Sequence, residues 1–376
     1  MKIDSICVRG AKDLNDRTGA VSVPIYQSAT FSHPGVGAST GYDYARVQNP
    51  TREPLERLVA SLENGRECCA FASGMAAMDA LMWLVPPGAR MLATSDLYGG
   101  SVRLFNELAV RAGLRVDYLD TGDRDRVRAA LGPDVKAVFA ETPSNPMMHV
   151  TDLKALRETV GPEVMVIVDN TFLTPCLMRP LDLGADLVIH SGTKYLGGHN
   201  DTLSGFVVTN SPELAERLRY VTKTVGTGLS PFDSFMVIRG LKTLHLRVAR
   251  AQATAMETAL WLRRHPKVRK VYYPGLPEHP GHEISLRQAS GFGAMISFEV
   301  ESSAAAEKAL EGVKFILYAE SLGGTETLIT YPCLQTHADV SPEKREALGI
   351  TDRLLRLSVG VEASEDILAD LEQALA

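Results

Sequence analysis

Short apolar runs recur along the chain and alternate with segments of helical period. They fall at 91–94, 115–119, 137–140, 164–168, 185–190 and 205–209. A strand that is apolar throughout has to be covered on both faces, and the intervening helices supply the cover. The alternation therefore predicts a mostly parallel sheet between helical layers. In such sheets ligands collect outside the carboxyl ends of the strands. The chemically active residues of this chain gather there, at 141–146, at Asp169-Asn170 and at 191–194.

Residues 1–50, rich in Gly, Ser, Thr and Pro, hold no sustained period and are expected to form an irregular arm. An amphipathic helix follows, with Leu55, Leu58, Val59 and Leu62 on one face and Gly65 just past its end. Beyond about residue 230 the character changes. A helical stretch is expected over 234–265, closed by Pro266, and a Pro/Gly-rich segment occupies 274–281. Strands at 294–300 and 354–361 suit a smaller α+β unit. In the second of these Leu355, Leu357, Val359 and Val361 alternate with Arg356, Ser358 and Gly360, which sets Arg356 on the opposite face. The last segment, 365–375, carries Leu368, Leu371 and Leu375 at helical spacing.

Composition narrows the function classes. A formal net charge of −6 argues against a nucleic-acid surface or an anionic membrane. No apolar run approaches the roughly 20 residues that span a bilayer. The start, Met1-Lys2-Ile3-Asp4-Ser5, lacks the apolar core of a signal peptide. The five cysteines are odd in number and lack metal-ligand spacing, and Cys68-Cys69 reads as buried packing. A reducing cytoplasm is the expectation, with no metal. His279-Pro280-Gly281-His282-Glu283 reads as a polar surface loop rather than a metal-binding helix. No Gly-x-Gly-x-x-Gly follows the first strand, which sets aside a dinucleotide enzyme.

Lys194 follows the run 185–190 directly and lies between Thr193 and Tyr195-Leu196-Gly197-Gly198. An amine there suits condensation with an aldehyde cofactor, and Ser191 and Thr193 can hold a nearby phosphate. Asp169 ends the run 164–168, where a carboxylate can protonate a pyridine nitrogen or N-cap a helix. Ser73-Gly74-Met75 opens an apolar helix, so the Gly74 and Met75 amides form either a phosphate cradle or a tight turn. Tyr98 can stack on a ring or pack. Taken singly, each plainer reading holds. Asp169 followed one βα unit later by Lys194 favours pyridoxal phosphate (PLP).

An ordered set of motifs sharpens this reading. It runs Tyr44-Ala45-Arg46, Asn49-Pro50-Thr51, Ser73-Gly74-Met75, Leu97-Tyr98-Gly99-Gly100 and Glu141-Thr142-Pro143-Ser144-Asn145-Pro146. It continues with Val168-Asp169-Asn170, Ser191-Gly192-Thr193-Lys194, Leu229-Ser230-Pro231, Glu320-Ser321-Leu322-Gly323-Gly324, Thr336-His337-Ala338 and Arg356-Leu357-Ser358. Together these resemble the trans-sulfuration enzymes of cysteine and methionine metabolism, which include cystathionine γ-synthases, γ-lyases and β-lyases. The resemblance implies a fold-type-I PLP transferase of the α/β class, with a mostly parallel seven-stranded sheet and a smaller C-terminal α+β domain. It implies an arm over 1–50 contacting a neighbouring subunit, a PLP-binding domain over 51–230 and a C-terminal domain over 231–376. It also implies a homotetramer, built as a dimer of dimers with shared active sites.

The resemblance assigns roles to residues. Lys194 would hold the cofactor and, once released, move protons; Tyr98 would cover the ring face and assist as base or acid; Asp169 would meet the ring nitrogen, and Asn145 would lie near the hydroxyl. Gly74, Met75, Ser191 and Thr193 would cradle the phosphate, joined by Tyr44 and Arg46 of a neighbouring subunit. Ser321 and Arg356 would position the substrate carboxylate. Glu320 suits the distal ammonium group of cystathionine, Asp43 a second carboxylate contact, and Arg103 a distal carboxylate or acyl ester. Each of these last three is also readable as a solvated charge. Ala45, Gln48 and Asn200 depart from the family pattern without removing a named group. Glu320, Gly100 in place of the cysteine of methionine γ-lyases, and Ile329-Thr330-Tyr331-Pro332 ahead of Gln335-Thr336-His337-Ala338-Asp339 lead to a γ-synthase expectation, the coupling of an O-acyl-homoserine with cysteine. Cleavage of cystathionine by γ- or β-elimination and O-acetylhomoserine thiol-lyase activity stand as alternatives.

Overall fold

The computed structural model describes residues 1–12, 18–338 and 340–376, with the side chains of 108 and 109 excepted. Asp339 lies outside the described residues. One sheet holds β1 (Glu67–Phe71), β2 (Arg90–Thr94), β3 (Arg115–Leu119), β4 (Val135–Glu141), β5 (Met165–Asp169), β6 (Leu187–Ser191) and β7 (Gly205–Thr209). Its order is β1-β7-β6-β5-β4-β2-β3. Strands β6, β5, β4, β2 and β3 run parallel, and β7 runs against both of its neighbours.

Alternation along the strands explains the two helical layers. Phe139, Ile167 and Ile189 join Leu81 and Phe105 on one face. Val138, Val166 and Val168 join Leu153 and Leu156 on the other. The apolar residues of a central strand are therefore buried on one side or the other.

A second sheet contains β8 (Val268–Tyr272), β9 (Met295–Val300), β10 (Leu317–Tyr318), β11 (Leu328–Thr330) and β12 (Leu354–Ser358), in the order β10-β11-β12-β9-β8. The helix Leu244–Leu262 buries Leu244, Val248, Ala251, Ala255, Ala259 and Leu262 between the sheets. One apolar core runs from Leu58 and Phe206 through this helix to Phe298 and Leu357. That shared core sets Arg356 of β12 against the strand ends of the first sheet.

The Cys68-Cys69 pair is buried, as expected, and lies in β1, an edge strand the sequence reading did not anticipate; three other local expectations change. Within the expected irregular arm, α1 (Ile3–Arg9) is helical and buries Ile6 and Cys7 near α2 (Arg52–Leu62). The stretch 234–265 divides into Pro231–Leu241 and Leu244–Leu262. There Arg247 donates to the Gly240 carbonyl at 2.8 Å, and a Cβ on Gly240 would lie 2.2 Å from the Gly197 oxygen. In the last helix Ile367, rather than Leu368, is buried beside Leu371 and Leu375.

Candidate active site

The carboxyl ends of β4, β5 and β6 form the floor of a cavity of about 240 Å³. Register places Glu141 beside Asp169, and Asp169 beside Ile189, so these side chains share one face. The cavity wall also includes Gly74, Met75, Tyr98, Asn145, Ser191, Thr193, Lys194, Glu320, Ser321 and Arg356. Residues separated by up to about 280 positions in sequence thus meet at one site.

Lys194 is held by a hydrogen bond from Nζ to Ser321 Oγ at 2.8 Å. Burial, helped by the positive Arg356, lowers its pKa from the ordinary lysine value to about 8. Ser321 adopts φ 87°, a strained value for a residue with a side chain.

Arg356 is 1% exposed. Its Nη1 donates to Asn145 Oδ1 at 2.9 Å, and its Nη2 donates to the Ser321 carbonyl at 2.9 Å and to Thr330 Oγ1 at 3.3 Å. Its Nε–H has no partner among the described residues. Burial pulls this guanidinium down to about 10, still charged at neutral pH.

Asp169 accepts from the Thr171 amide at 2.9 Å, and Thr171 Oγ1 accepts from the Ser191 amide at 2.9 Å. Burial pushes the Asp169 carboxyl up, and the Thr171 contacts oppose it. Glu141 is buried at the floor and accepts from the Tyr98 amide at 3.3 Å. Burial, then the neighbouring Asp169, hold its carboxyl well above the usual range.

At the head of α3 (Gly74–Met82), the Ser73 hydroxyl caps the Ala76 amide. The first two helical amides, Gly74 and Met75, point out of the end toward the cavity. A Cβ at Gly74 would approach Ser191 Cβ to 3.0 Å, so a side chain there would crowd Ser191 at the cavity wall. Thr193 is engaged with Ser204, accepting from its amide at 3.1 Å.

Tyr98 precedes α4 (Gly99–Leu104), and its ring is 42% exposed at the cavity mouth. A Cβ at Gly100 would strike that ring at 2.4 Å, so any side chain at residue 100 would have to displace it. Behind Tyr98, buried His337 approaches the carbonyls of Leu97 and Asn145 at 3.0 and 3.1 Å. Burial drives this imidazole down to about 4, so it is neutral and its Nε2–H donates to both carbonyls.

The cavity assembles Gly74, Met75, Tyr98, Asn145, Asp169, Ser191, Thr193, Lys194, Glu320, Ser321 and Arg356. It does not bring in the arm residues or Arg103. Tyr44 is exposed, and Arg46 donates to the Lys223 carbonyl at 2.7 Å with its guanidinium 5.4 Å from the Tyr44 ring centre. Asp43 accepts from Ser39 at 2.7 Å within the arm. Arg103 is exposed on α4 and is not among the cavity residues.

Glu141 and Thr171 are cavity residues to which the sequence reading assigned no role. Glu141 opens a quoted motif at a strand end, and Thr171 stands two positions after an Asp at a strand end, a spacing at which a carboxylate accepts from the backbone. His282, read as part of a surface loop, starts the helix His282–Gln288, hydrogen-bonds the Pro274 carbonyl at 2.8 Å and stacks on Phe292. Among the described residues no cluster of His, Cys, Asp or Glu suits a metal ion, and no helix is long and apolar enough to cross a membrane.

Comparison with known proteins bears on the same residues. The family described as Cys/Met metabolism PLP-dependent enzyme matches residues 4–376. Cystathionine γ-lyase of Bacillus subtilis (strain 168) is 46% identical, over 100% of this chain and 99% of that protein. Cystathionine β-lyase of Lactococcus lactis subsp. cremoris (strain MG1363) is 45% identical, over 98% of this chain and 97% of its own length. The crystal structure of cystathionine γ-synthase from Xanthomonas oryzae pv. oryzae in complex with cystathionine superposes with a TM-score of 0.97 at 43% identity, covering 100% of this chain and 98% of that one. These relatives carry three different reaction names on one fold. The chain belongs to the PLP-dependent enzymes of cysteine and methionine metabolism, as a trans-sulfuration enzyme of the cystathionine synthase and lyase type.

Proposed function

We propose that this chain catalyses γ-replacement, coupling an O-acyl-homoserine to cysteine with release of the acyl group and formation of cystathionine. The observation that carries the reading is Glu320, which lines the cavity together with Lys194, Ser321 and Arg356. It offers a carboxylate to a distal ammonium group while Arg356 takes the α-carboxylate. Cystathionine, the ligand of the solved γ-synthase, has both groups.

PLP fits these residues. The Gly74 and Met75 amides with the Ser191 and Thr193 hydroxyls are a donor set for phosphate, Asp169 is an acid partner for the ring nitrogen, and Tyr98 offers a flat face. Asn145 would lie near the ring hydroxyl, and Lys194 would be the amine that holds the group. When bound, PLP supplies an aldehyde for the substrate amine and an electron sink for carbanion chemistry.

The remaining chemistry belongs to the chain. Lys194 Nζ, with its lowered pKa, takes and returns protons at Cα and Cβ of the substrate, steadied by Ser321 Oγ. Asn145 and the Ser321 carbonyl fix the Arg356 fork, and its unpartnered Nε–H is a donor for the substrate carboxylate. Tyr98 screens the reacting atoms from the open side. Tyr44 and Arg46 reach the phosphate of a neighbouring subunit, which completes each site across the interface of a homotetramer. Their exposure and their absence from their own chain's cavity support that arrangement.

A second reading is γ-elimination, the cleavage of cystathionine to cysteine, oxobutyrate and ammonia. It is favoured by the likeness, over the whole chain, to the cystathionine γ-lyase of Bacillus subtilis (strain 168). Product identification by mass separates the readings. Purified enzyme given O-acetyl- or O-succinylhomoserine with cysteine is expected to form cystathionine. Oxobutyrate and cysteine from cystathionine alone, without synthesis, would establish the lyase, and pyruvate with homocysteine would overturn both. A Glu320→Ala enzyme that handles cystathionine normally would remove the argument from the distal ammonium.

A further inference from the structure

We propose that Glu63 is a positioning residue for the active site. One oxygen of its buried carboxylate binds Asn170 and His190 together, and so fixes the two strand ends that present Asp169 and Ser191 to the cavity. The inference rests on the assignment of Asp169 and Ser191 to the cofactor.

The argument begins with strand alternation. Asp169 and Ser191 face the cavity, so Asn170 and His190, each one position away, face the opposite side of the sheet. Glu63, directly after the last residue of α2, meets them there. All three residues are 0% exposed. Glu63 Oε1 lies 2.6 Å from His190 Nε2 and 2.8 Å from Asn170 Nδ2. Because that oxygen already accepts from Asn170, the short contact to His190 puts the imidazole proton on Nε2.

The clasp continues the β5–β6 pairing beyond its last rung. The Asn170 amide donates to the Ile189 carbonyl at 3.0 Å, and Asn170 Nδ2 also reaches the Met178 carbonyl at 2.9 Å. On the cavity side Thr171 links Asp169 to the Ser191 amide. The two strand ends are thus joined on both faces of the sheet.

The arrangement is costly. Glu63 Oε2, Asn170 Oδ1 and His190 Nδ1 are buried with no hydrogen-bond partner among the described residues. A carboxylate at a helix C-terminus also faces the unfavourable end of the helix dipole. Apolar side chains would fill the same space without either cost, so stability alone does not explain the trio. What the trio adds is a fixed spacing between an acid and a phosphate-binding hydroxyl, which apolar packing specifies less sharply.

The unpartnered Oε2 makes the test clean. Glu63→Gln keeps Oε1 as the shared acceptor and places its amide nitrogen where no bond existed. Glu63→Leu removes the acceptor at nearly the same size. Each enzyme is stripped of cofactor, titrated with PLP by protein fluorescence, and reconstituted for visible circular dichroism and apo thermal melting. Glu63→Gln is expected to bind PLP as tightly as the unsubstituted protein. Glu63→Leu is expected to bind about 10- to 100-fold more weakly, with diminished visible dichroism. Should Glu63→Leu not fold, Asn170→Ala, which removes one of the two bonds, is expected to show an intermediate loss in the same readouts. A lower apo melting point with unchanged PLP affinity and dichroism would make the trio merely structural and overturn the proposal. So would a Gln variant as impaired as the Leu variant. Failure of the unsubstituted protein itself to bind PLP would instead overturn the cofactor assignments on which the proposal rests.

Discussion

Lys194 and Arg46 are both expected around the cofactor, yet the chain treats them differently. Lys194 stands in a pocket built by its own sheet ends, tied to Ser321 and flanked by Arg356, with its charge already perturbed. Arg46 lies on an exposed arm, bonded to a backbone carbonyl and stacked over Tyr44. The strand ends are organised within one chain, whereas Tyr44 and Arg46 of the arm lie outside their own chain's cavity. Folding of one chain prepares the reacting centre, and in our reading assembly supplies its closure.

The largest expected effect breaks the first half of this contrast. Lys194→Ala should lower turnover by at least about 1,000-fold. It should also abolish the visible absorption of bound cofactor and its trapping by borohydride, read by intact mass. Retained trapping would show that another amine holds the group. The second effect tests the arm. Arg46→Ala should cost on the order of 100-fold through a displaced phosphate. Mixed with Lys194→Ala subunits, it should recover activity, because one hybrid site then carries both intact residues. No recovery after verified subunit exchange would return Arg46 to its own chain.

A third, smaller effect sharpens the account of the preorganised half. Arg356→Lys keeps the charge but loses the fork that meets Asn145 and Ser321. KM for the amino-acid substrate should rise roughly 10- to 100-fold, with a lesser change in kcat, since a point charge cannot reproduce bidentate geometry. An equal fall in kcat and kcat/KM, with KM unchanged, would assign the guanidinium to the transition state rather than to carboxylate binding.

The same contrast explains what the sequence made legible. Strand ends were readable because a continuous apolar run stops at a polar residue, as at Asp169 and again before Lys194. Alternation set Arg356 on the face opposite Leu355 and Leu357, and its role came only from the resemblance. Strand β1, Glu67-Cys68-Cys69-Ala70-Phe71, escaped because it holds none of the β-branched residues that marked the other strands of its sheet. The break before Leu244 escaped because Arg247, four residues into the following helix, supplies the donor for Gly240. The Glu63 clasp is harder still. Its partners lie 107 and 127 positions away, and a glutamate after a helix gives no local sign of burial. The arm holds little periodic structure beyond α1 among its described residues, and a contact with another chain, as we propose for it, would leave no trace in its own periodicity.

The smallest effect concerns the state of Lys194 before cofactor arrives. Only the neutral amine attacks an aldehyde, so the sign of the shift fixes the pH response. With the pKa lowered to about 8, roughly a tenth of the amine is neutral at pH 7, against far less than a hundredth for an ordinary lysine. Capture of PLP by the cofactor-free protein should therefore accelerate with rising pH and level off above about 8, instead of climbing toward the usual lysine range. Burial is the larger cause and Arg356 the lesser. Arg356→Gln should accordingly move the midpoint upward by only part of the shift, because removing the positive neighbour stabilises the protonated amine while the desolvation remains. A midpoint unmoved by Arg356→Gln would leave burial as the sole cause, and one restored to the ordinary lysine value would make Arg356 the dominant one. Either result would revise how this cavity keeps its amine ready.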